Sequence, residues 1–191
     1  NIHIISDIVE LKLFYQSICL KNFNKNVNKS RMFWKSLYQF LLKSKTGSIF
    51  IVDKDLTIIK DSFMHYFYLN HYIKPQIKKI NKNNIKWYDT NFMINNKKNT
   101  NQNKICIATF CIPQKLYKEG LFIRNWKHGD KIYSNSKSIS IKKIFSKNKI
   151  SSFNKFIYPI IVNKKDEIIN VPRLYNQFND KSKNIILDWF C

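Results

Sequence analysis

Apolar positions recur at helical spacing early in the chain and then give way to short β-branched runs. Over residues 7–22, Leu11, Phe14, Tyr15, Ile18 and Cys19 share one side of a helix, and Ser6 or Asp7 is placed to cap its first turn. The Asn/Lys-rich stretch 22–29 predicts a loop. A second helix is predicted from Arg31 to Lys43, with Ser30 as N-cap and Trp34, Leu37, Tyr38 and Leu41 on one face. These aromatics are expected to pack the two helices together. Gly47 marks a C-cap or turn. Residues 49–52 and 56–59 then predict two strands joined by a hairpin turn at Asp53-Lys54-Asp55, and residues 63–69 a third strand.

From residue 74 to 104 Asn and Lys dominate, which predicts a solvated linker or insertion with room for short strands at 85–88 and 92–94. A second unit starts near Ile105. Strands are predicted at 105–107 and 121–123, followed by a turn at His128-Gly129-Asp130. A basic amphipathic segment, 139–149, carries a short helix that displays Lys142, Lys143, Lys147 and Lys149 beside Phe145. Apolar runs return at 158–162 and 168–171, joined by a hairpin turn at Lys164-Lys165-Asp166. Residues 185–190 are expected to add an edge strand. The fold class is α+β in two small units. The first, residues 1–72, is a helix pair with a β-hairpin or meander. Residues 73–104 form the linker or insertion. The last, residues 105–191, is a mixed β-sheet domain with a short basic helix. No repeat of fixed period occurs.

Charge narrows the function. The chain has 34 Lys+Arg against 12 Asp+Glu, a formal net charge of +22. AT-rich codons explain the abundance of Lys, Asn, Ile, Phe and Tyr, but such drift also supplies Asp and Glu and does not explain the imbalance of sign. A sustained positive excess repels itself unless a polyanion is near, and nucleic acid is the expected polyanion ahead of an anionic membrane surface or an acidic protein. No apolar run reaches the length of a membrane span. Cys19, Cys106, Cys111 and Cys191 show no C-x-x-C spacing, so thiols in a reducing compartment are expected rather than a zinc site. The chain opens on Asn1 rather than Met, and further sequence is expected upstream.

Enzymatic chemistry is poorly represented. Gly47, Gly120 and Gly129 are the only glycines and lie far apart, so no Gly-rich loop can bring backbone amides to a nucleotide's phosphates. His128 and Asp130 are close in sequence but have no nucleophile or metal ligand at recognisable spacing, and a tight turn accounts for them. No catalytic, cofactor-binding or metal-ligating residue is expected in this chain. A phosphate-gripping surface is expected instead, built from Arg124, Lys127, Lys131, Lys142, Lys143, Lys147, Lys149 and Lys155. Because Lys acts as a point charge, such a grip carries little base information. Trp126 is a packing residue that could also stack on a base.

These residues resemble the C-terminal part of bacterial-type tRNA(Ile)-lysidine synthetase. Leu121-Phe122-Ile123-Arg124 and Gly129-Asp130 match the start of that family's C-terminal pattern. Ile141-Lys142-Lys143-Ile144-Phe145 matches its Lys-rich helix, and Lys149-Ile150 the step that follows. Tyr158-Pro159-Ile160-Ile161-Val162 and Ile168-Ile169-Asn170-Val171-Pro172 match its return strands. Ser151 and Ser152 stand where prolines are usual, Lys155 where Arg is usual, and Arg173 where Gly often follows Pro172. The order of helix, helix, Lys45-Thr46-Gly47 and hairpin is similar to the family's middle domain.

The resemblance implies a full enzyme that uses ATP, with Mg, to adenylate the wobble cytidine of an isoleucine tRNA with a CAU anticodon, after which lysine displaces AMP. ATP and Mg would be held by a catalytic domain whose Ser-Gly-Gly-x-Asp-Ser loop is not in this sequence, and none would be bound here. The two units would hold the tRNA body and acceptor stem. A homodimer is compatible with this reading. Codon composition places the protein in the cytoplasm of a reduced bacterium or in an organelle such as a plastid. A stand-alone basic RNA-binding protein and an inactive remnant are the competing readings.

Overall fold

The structure, a computed structural model, describes residues 7–62, 64–81, 84–94, 105–134, 137–178 and 184–191. It is an α+β molecule of two compact units, one up to Ile73 and the other from Lys74.

In the first unit, helix α1 (Ile8–Phe23) starts at Asp7, whose carboxylate accepts from the N–H groups of Val9 and Glu10 at 2.7 and 2.8 Å. It ends at Asn24 in the left-handed region. Helix α2 (Arg31–Lys43) is capped by Ser30, which accepts from the Phe33 N–H. Leu11, Tyr15 and Cys19 of α1 and Trp34, Leu37 and Leu41 of α2 are buried in one core. Phe14, expected on the packed face, is exposed. A three-stranded antiparallel sheet follows, β1 (Ile49–Ile51), β2 (Leu56–Lys60) and β3 (His65–Leu69), in that order. The turn between β1 and β2 forms because the Asp53 carboxylate accepts from the N–H groups of both Asp55 and Leu56. Lys25, in the interhelical loop, ion-pairs with Asp55 at 2.8 Å and ties the helices to that turn. The third strand begins at His65 rather than at Phe63, which lies outside the described residues.

The second unit holds two larger sheets and a two-stranded ribbon. Its strands are β4 (Ile77–Lys79), β5 (Asn84–Trp87), β6 (Thr90–Ile94), β7 (Cys106–Pro113), β8 (Leu121–Asn125), β9 (Lys131–Ser134), β10 (Lys137–Ser140), β11 (Pro159–Asn163), β12 (Ile168–Val171), β13 (Tyr175–Asn176) and β14 (Asn184–Phe190). One sheet runs β13-β12-β11-β8-β4, the other β5-β6-β14-β7, and β9 pairs with β10. Three short helices, α3 (Gln114–Glu119), α4 (Ile141–Lys147) and α5 (Ser152–Ile157), connect them. One core runs through the unit, from Ile85, Trp87 and Phe92 through Phe110, Leu121 and Ile123 to Phe145, Ile160 and Trp189.

Three expectations are corrected here. Residues 74–94 are not a linker: β4 pairs with β8, and β5 and β6 form half of the four-stranded sheet. Lys74, Lys79, Asn81, Asn84 and Lys86 are exposed while Ile80, Ile85, Trp87 and Phe92 are buried, so an average over composition hides the inward and outward alternation of the strands. The rest of the expected insertion, 95–104, lies outside the described residues. Residues 185–190 are not an edge strand: β14 sits between β6 and β7 and pairs with both. The basic segment 139–149 is not one amphipathic element. Ile139 belongs to β10 opposite Ile132, and the helix begins only at Ile141.

Candidate nucleic-acid interface

The site is built around a turn. Strand β8 ends in Arg124 and Asn125, and the chain reverses at residues 127–130, where Gly129 has φ of 92°. Only glycine adopts that angle without steric cost. Asp130 then organises the turn. Its Oδ2 accepts from the Lys127 N–H at 2.7 Å, and its backbone carbonyl accepts from the N–H of Ile141, the first residue of α4. The Asp130 side chain also takes both terminal nitrogens of Arg124, at 2.9 and 3.0 Å. Arg124 Nε donates to Asp166 at 2.5 Å, and Lys127 Nζ to the other Asp166 oxygen at 2.9 Å.

Arg124 is therefore corrected as a phosphate ligand. Its side chain is 3% exposed, and its donors are directed at Asp130, Asp166 and the Asn125 carbonyl. Burial works against its charge, but the hydrogen bonds it donates to Asp130 and Asp166 outweigh burial and hold its pKa above the ordinary value. For Asp166 burial again acts upward, and the bonds from Lys127 and Arg124 prevail and lower it. Asp166 itself stands in the left-handed region at φ 62°, at the end of the β11–β12 hairpin turn. Asp, like Asn, tolerates such a place in a turn, so the backbone there sits well with the carboxylate that grips Arg124. Lys127 is exposed, yet it too engages Asp166.

The other sequence-nominated cations are placed differently. Helix α4 buries Ile141 and Phe145, one turn apart, with Ile144 half-buried beside them. That leaves Lys142, Lys143 and Lys147 exposed. The helix stops at Asn148. Lys149 follows at φ 52°, and the Ile150 N–H closes the end on the Phe145 carbonyl at 3.0 Å. Lys149 is exposed. Ser151 caps α5 by accepting from the Asn154 N–H, and Lys155 lies half-buried on that helix. Lys131 is exposed at the start of β9. The structure thus groups Lys142, Lys143, Lys147 and Lys149 on α4 and its end, with Lys155 on the next helix. None of these five, nor Lys131, is in an ion pair among the described residues.

Two features escaped the sequence reading. No Asp or Glu occurs between Asp130 and Asp166, while Lys131, Lys137, Lys142, Lys143, Lys147, Lys149, Lys155, Lys164 and Lys165 do. That run could have been read from the sequence. Tyr133, 74% exposed on the ribbon beside Lys131, could not, because its exposure depends on the β9–β10 pairing that buries Ile132 on the opposite side. Trp126 packs edge-on against Phe145 at 5.6 Å and is half-buried, in line with its packing role. His128 is exposed in the turn, and both Asp130 oxygens are engaged by Arg124 and the Lys127 N–H rather than by that imidazole.

Among the described residues no group of three or more His, Cys, Asp or Glu could hold a metal ion. Gly47, Gly120 and Gly129 serve separate turns and do not form a phosphate cradle. Among the described residues no helix is long and apolar enough to cross a membrane.

No protein-family model and no curated protein matches the sequence. Among solved structures, the chain is similar to a crystal structure of a TILS C-terminal domain. The similarity covers 62% of this chain and 98% of that one, at 16% sequence identity and a TM-score of 0.49.

Proposed function

We propose that this chain binds RNA, and that it is the tRNA-holding portion of a ligase of the tRNA(Ile)-lysidine synthetase type. The observation that carries the reading is the acid-free stretch 131–165. It places exposed lysines, without an ion pair among the described residues, on α4 and the α4–α5 corner, while the carboxylates that bound it in sequence, Asp130 and Asp166, are turned to Arg124. Long flexible cations without local counter-charge suit a phosphate backbone, and their binding releases condensed counterions. The identity of the ligase is supported by the motif order from Leu121 to Pro172. In this reading the chain supplies orientation, holding the tRNA body and acceptor stem so that a catalytic domain elsewhere in the enzyme meets the wobble cytidine. Lysine and ATP are then substrates of that other domain.

The test is competition. The chain is titrated with isoleucine tRNA bearing a CAU anticodon, with initiator methionine tRNA as competitor, across a salt series. Both complexes are expected to weaken steeply with salt, by about 10³ to 10⁵ between roughly 50 and 200 mM for six to ten phosphate contacts. A preference for the isoleucine tRNA that persists at the higher salt is the expected result. Equal affinities that fade together would leave a general RNA-binding protein in place of the ligase reading.

A further inference from the structure

The second unit contains a cavity of about 260 Å³ between the four-stranded sheet, the start of β11 and the α4–α5 corner. Its walls include Trp87, Tyr88, Tyr158 and Trp189. The polar atom of each has a fixed partner. Trp87 donates to the Ile157 carbonyl at 2.7 Å, Tyr158 to the Pro172 carbonyl at 2.7 Å, Trp189 to the Thr90 hydroxyl at 2.8 Å and Tyr88 to the Lys74 carbonyl at 2.9 Å. Asn125 further locks Tyr88 by donating to its hydroxyl at 2.9 Å and to the Phe156 carbonyl. The interior is mostly carbon, and these bonds fix the aromatic side chains of its walls.

The rim is polar and charged. Asp89 and Asn154 line it, and neither side chain has a hydrogen-bond partner among the described residues. Arg173 also lines it, exposed, at φ 68° and without an ion pair among the described residues. Ile150 and Asn154, on the helical side, directly adjoin Lys149 and Lys155 in sequence. The cavity lining and the proposed phosphate grip therefore share the α4–α5 corner.

We propose that this cavity receives one unpaired nucleobase of the bound RNA, with the exposed Arg173 at its lining available to a flanking phosphate. The inference rests on the RNA-binding reading and deepens it. The volume suits a single planar ring system and falls below that of ordinary drug-sized sites. Stacked or enclosed bases gain from apolar and aromatic walls whatever their identity, and Asp89 and Asn154 offer an acceptor and a donor to a base edge. A second copy of this chain is a poor occupant, because it would bring another +22 charges to a basic rim.

The test uses the whole chain and an RNA stem-loop with a short single-stranded tail, in which each tail nucleotide is replaced in turn by an abasic one. Wild type is expected to lose about tenfold in affinity at one tail position. Asn154→Trp, which fills the mouth from an exposed helical position, is expected to bring the intact and abasic RNAs to equal affinity. Arg173→Gly removes the guanidinium and suits the left-handed backbone, so it folds; it is expected to weaken the tailed RNA several-fold. Equal binding of intact and abasic tails by wild type overturns the proposal, as does a preference that survives in Asn154→Trp. RNA binding without a base preference overturns the cavity alone, whereas no RNA binding at all removes the underlying function as well.

Discussion

Arg124 shows how a basic residue can be misassigned by charge alone. Its position in an Ile-Arg motif beside a lysine-rich stretch suggests an RNA contact, but the chain folds it inward onto Asp130 and Asp166. Removing one partner of a buried pair leaves a charge uncompensated. Asp130→Ala is therefore expected to destabilise the second unit by about 3–5 kcal/mol in chemical denaturation. Adding Arg124→Met to that variant is expected to recover part of the loss, since a buried apolar side chain needs no partner. If the double variant is less stable than Asp130→Ala, the ion pair is not the reason for the loss. Nothing in the sequence could place Arg124 inside, because its second partner, Asp166, lies 42 residues away. The caps at Asp7 and Ser30 were legible because both partners lie within one turn.

His65 carries a second residue-scale expectation. Burial, helped by the cross-strand Lys60, pulls its pKa down to about 4 from the ordinary 6.5. Its Nε2 is buried without a hydrogen-bond partner among the described residues. The folded state thus holds the neutral imidazole, while the unfolded chain takes up a proton below its ordinary pKa. The stabilising contribution is complete above about 6.5 and is lost as pH falls toward about 4. The denaturation midpoint of the first unit, followed by Trp34 with the other three tryptophans replaced by Phe, is expected to fall over that window. His65→Gln is expected to flatten the profile.

At the scale of elements, α4 separates its duties by face. Ile141 and Phe145 hold it to the core, while Lys142, Lys143 and Lys147 have no ion-pair partner among the described residues. Replacing all three with Ala is expected to leave the melting temperature nearly unchanged and to lower the salt slope of RNA binding by about 3. A slope that stays at the wild-type value would remove α4 from the interface. The helix itself was legible from its buried pair. Its start was not, because Ile139 continues the same apolar spacing yet pairs with Ile132 across the ribbon. Helices α3 and α5 are six residues each, too short for a periodic pattern to emerge. Strand β14 was read as a strand but placed at an edge, since a sequence reveals an alternation and not which neighbours satisfy it.

At the scale of the molecule, the two units have separate cores with no shared member. Residues 74–191 are therefore expected to fold alone and to keep the salt slope of the full chain, measured by titration with the same tRNA. Loss of folding would mean that the first unit supplies part of the second unit's stability. The pairing of β14 has a further consequence, for how the chain is made. Leu187 pairs with Ile94 and Phe110, each far back in the sequence, so β7 has no sheet partner, and β6 only its β5 neighbour, until residues 184–190 are synthesised. The first unit, whose contacts are local, can complete its fold on the ribosome. The second must keep β7 unpaired and one edge of β6 open through the synthesis of β8 to β13, and its closure is slow because long-range pairing carries the largest loop-closure entropy. Nascent chains halted just before β14 would be the form of this protein most in need of a chaperone.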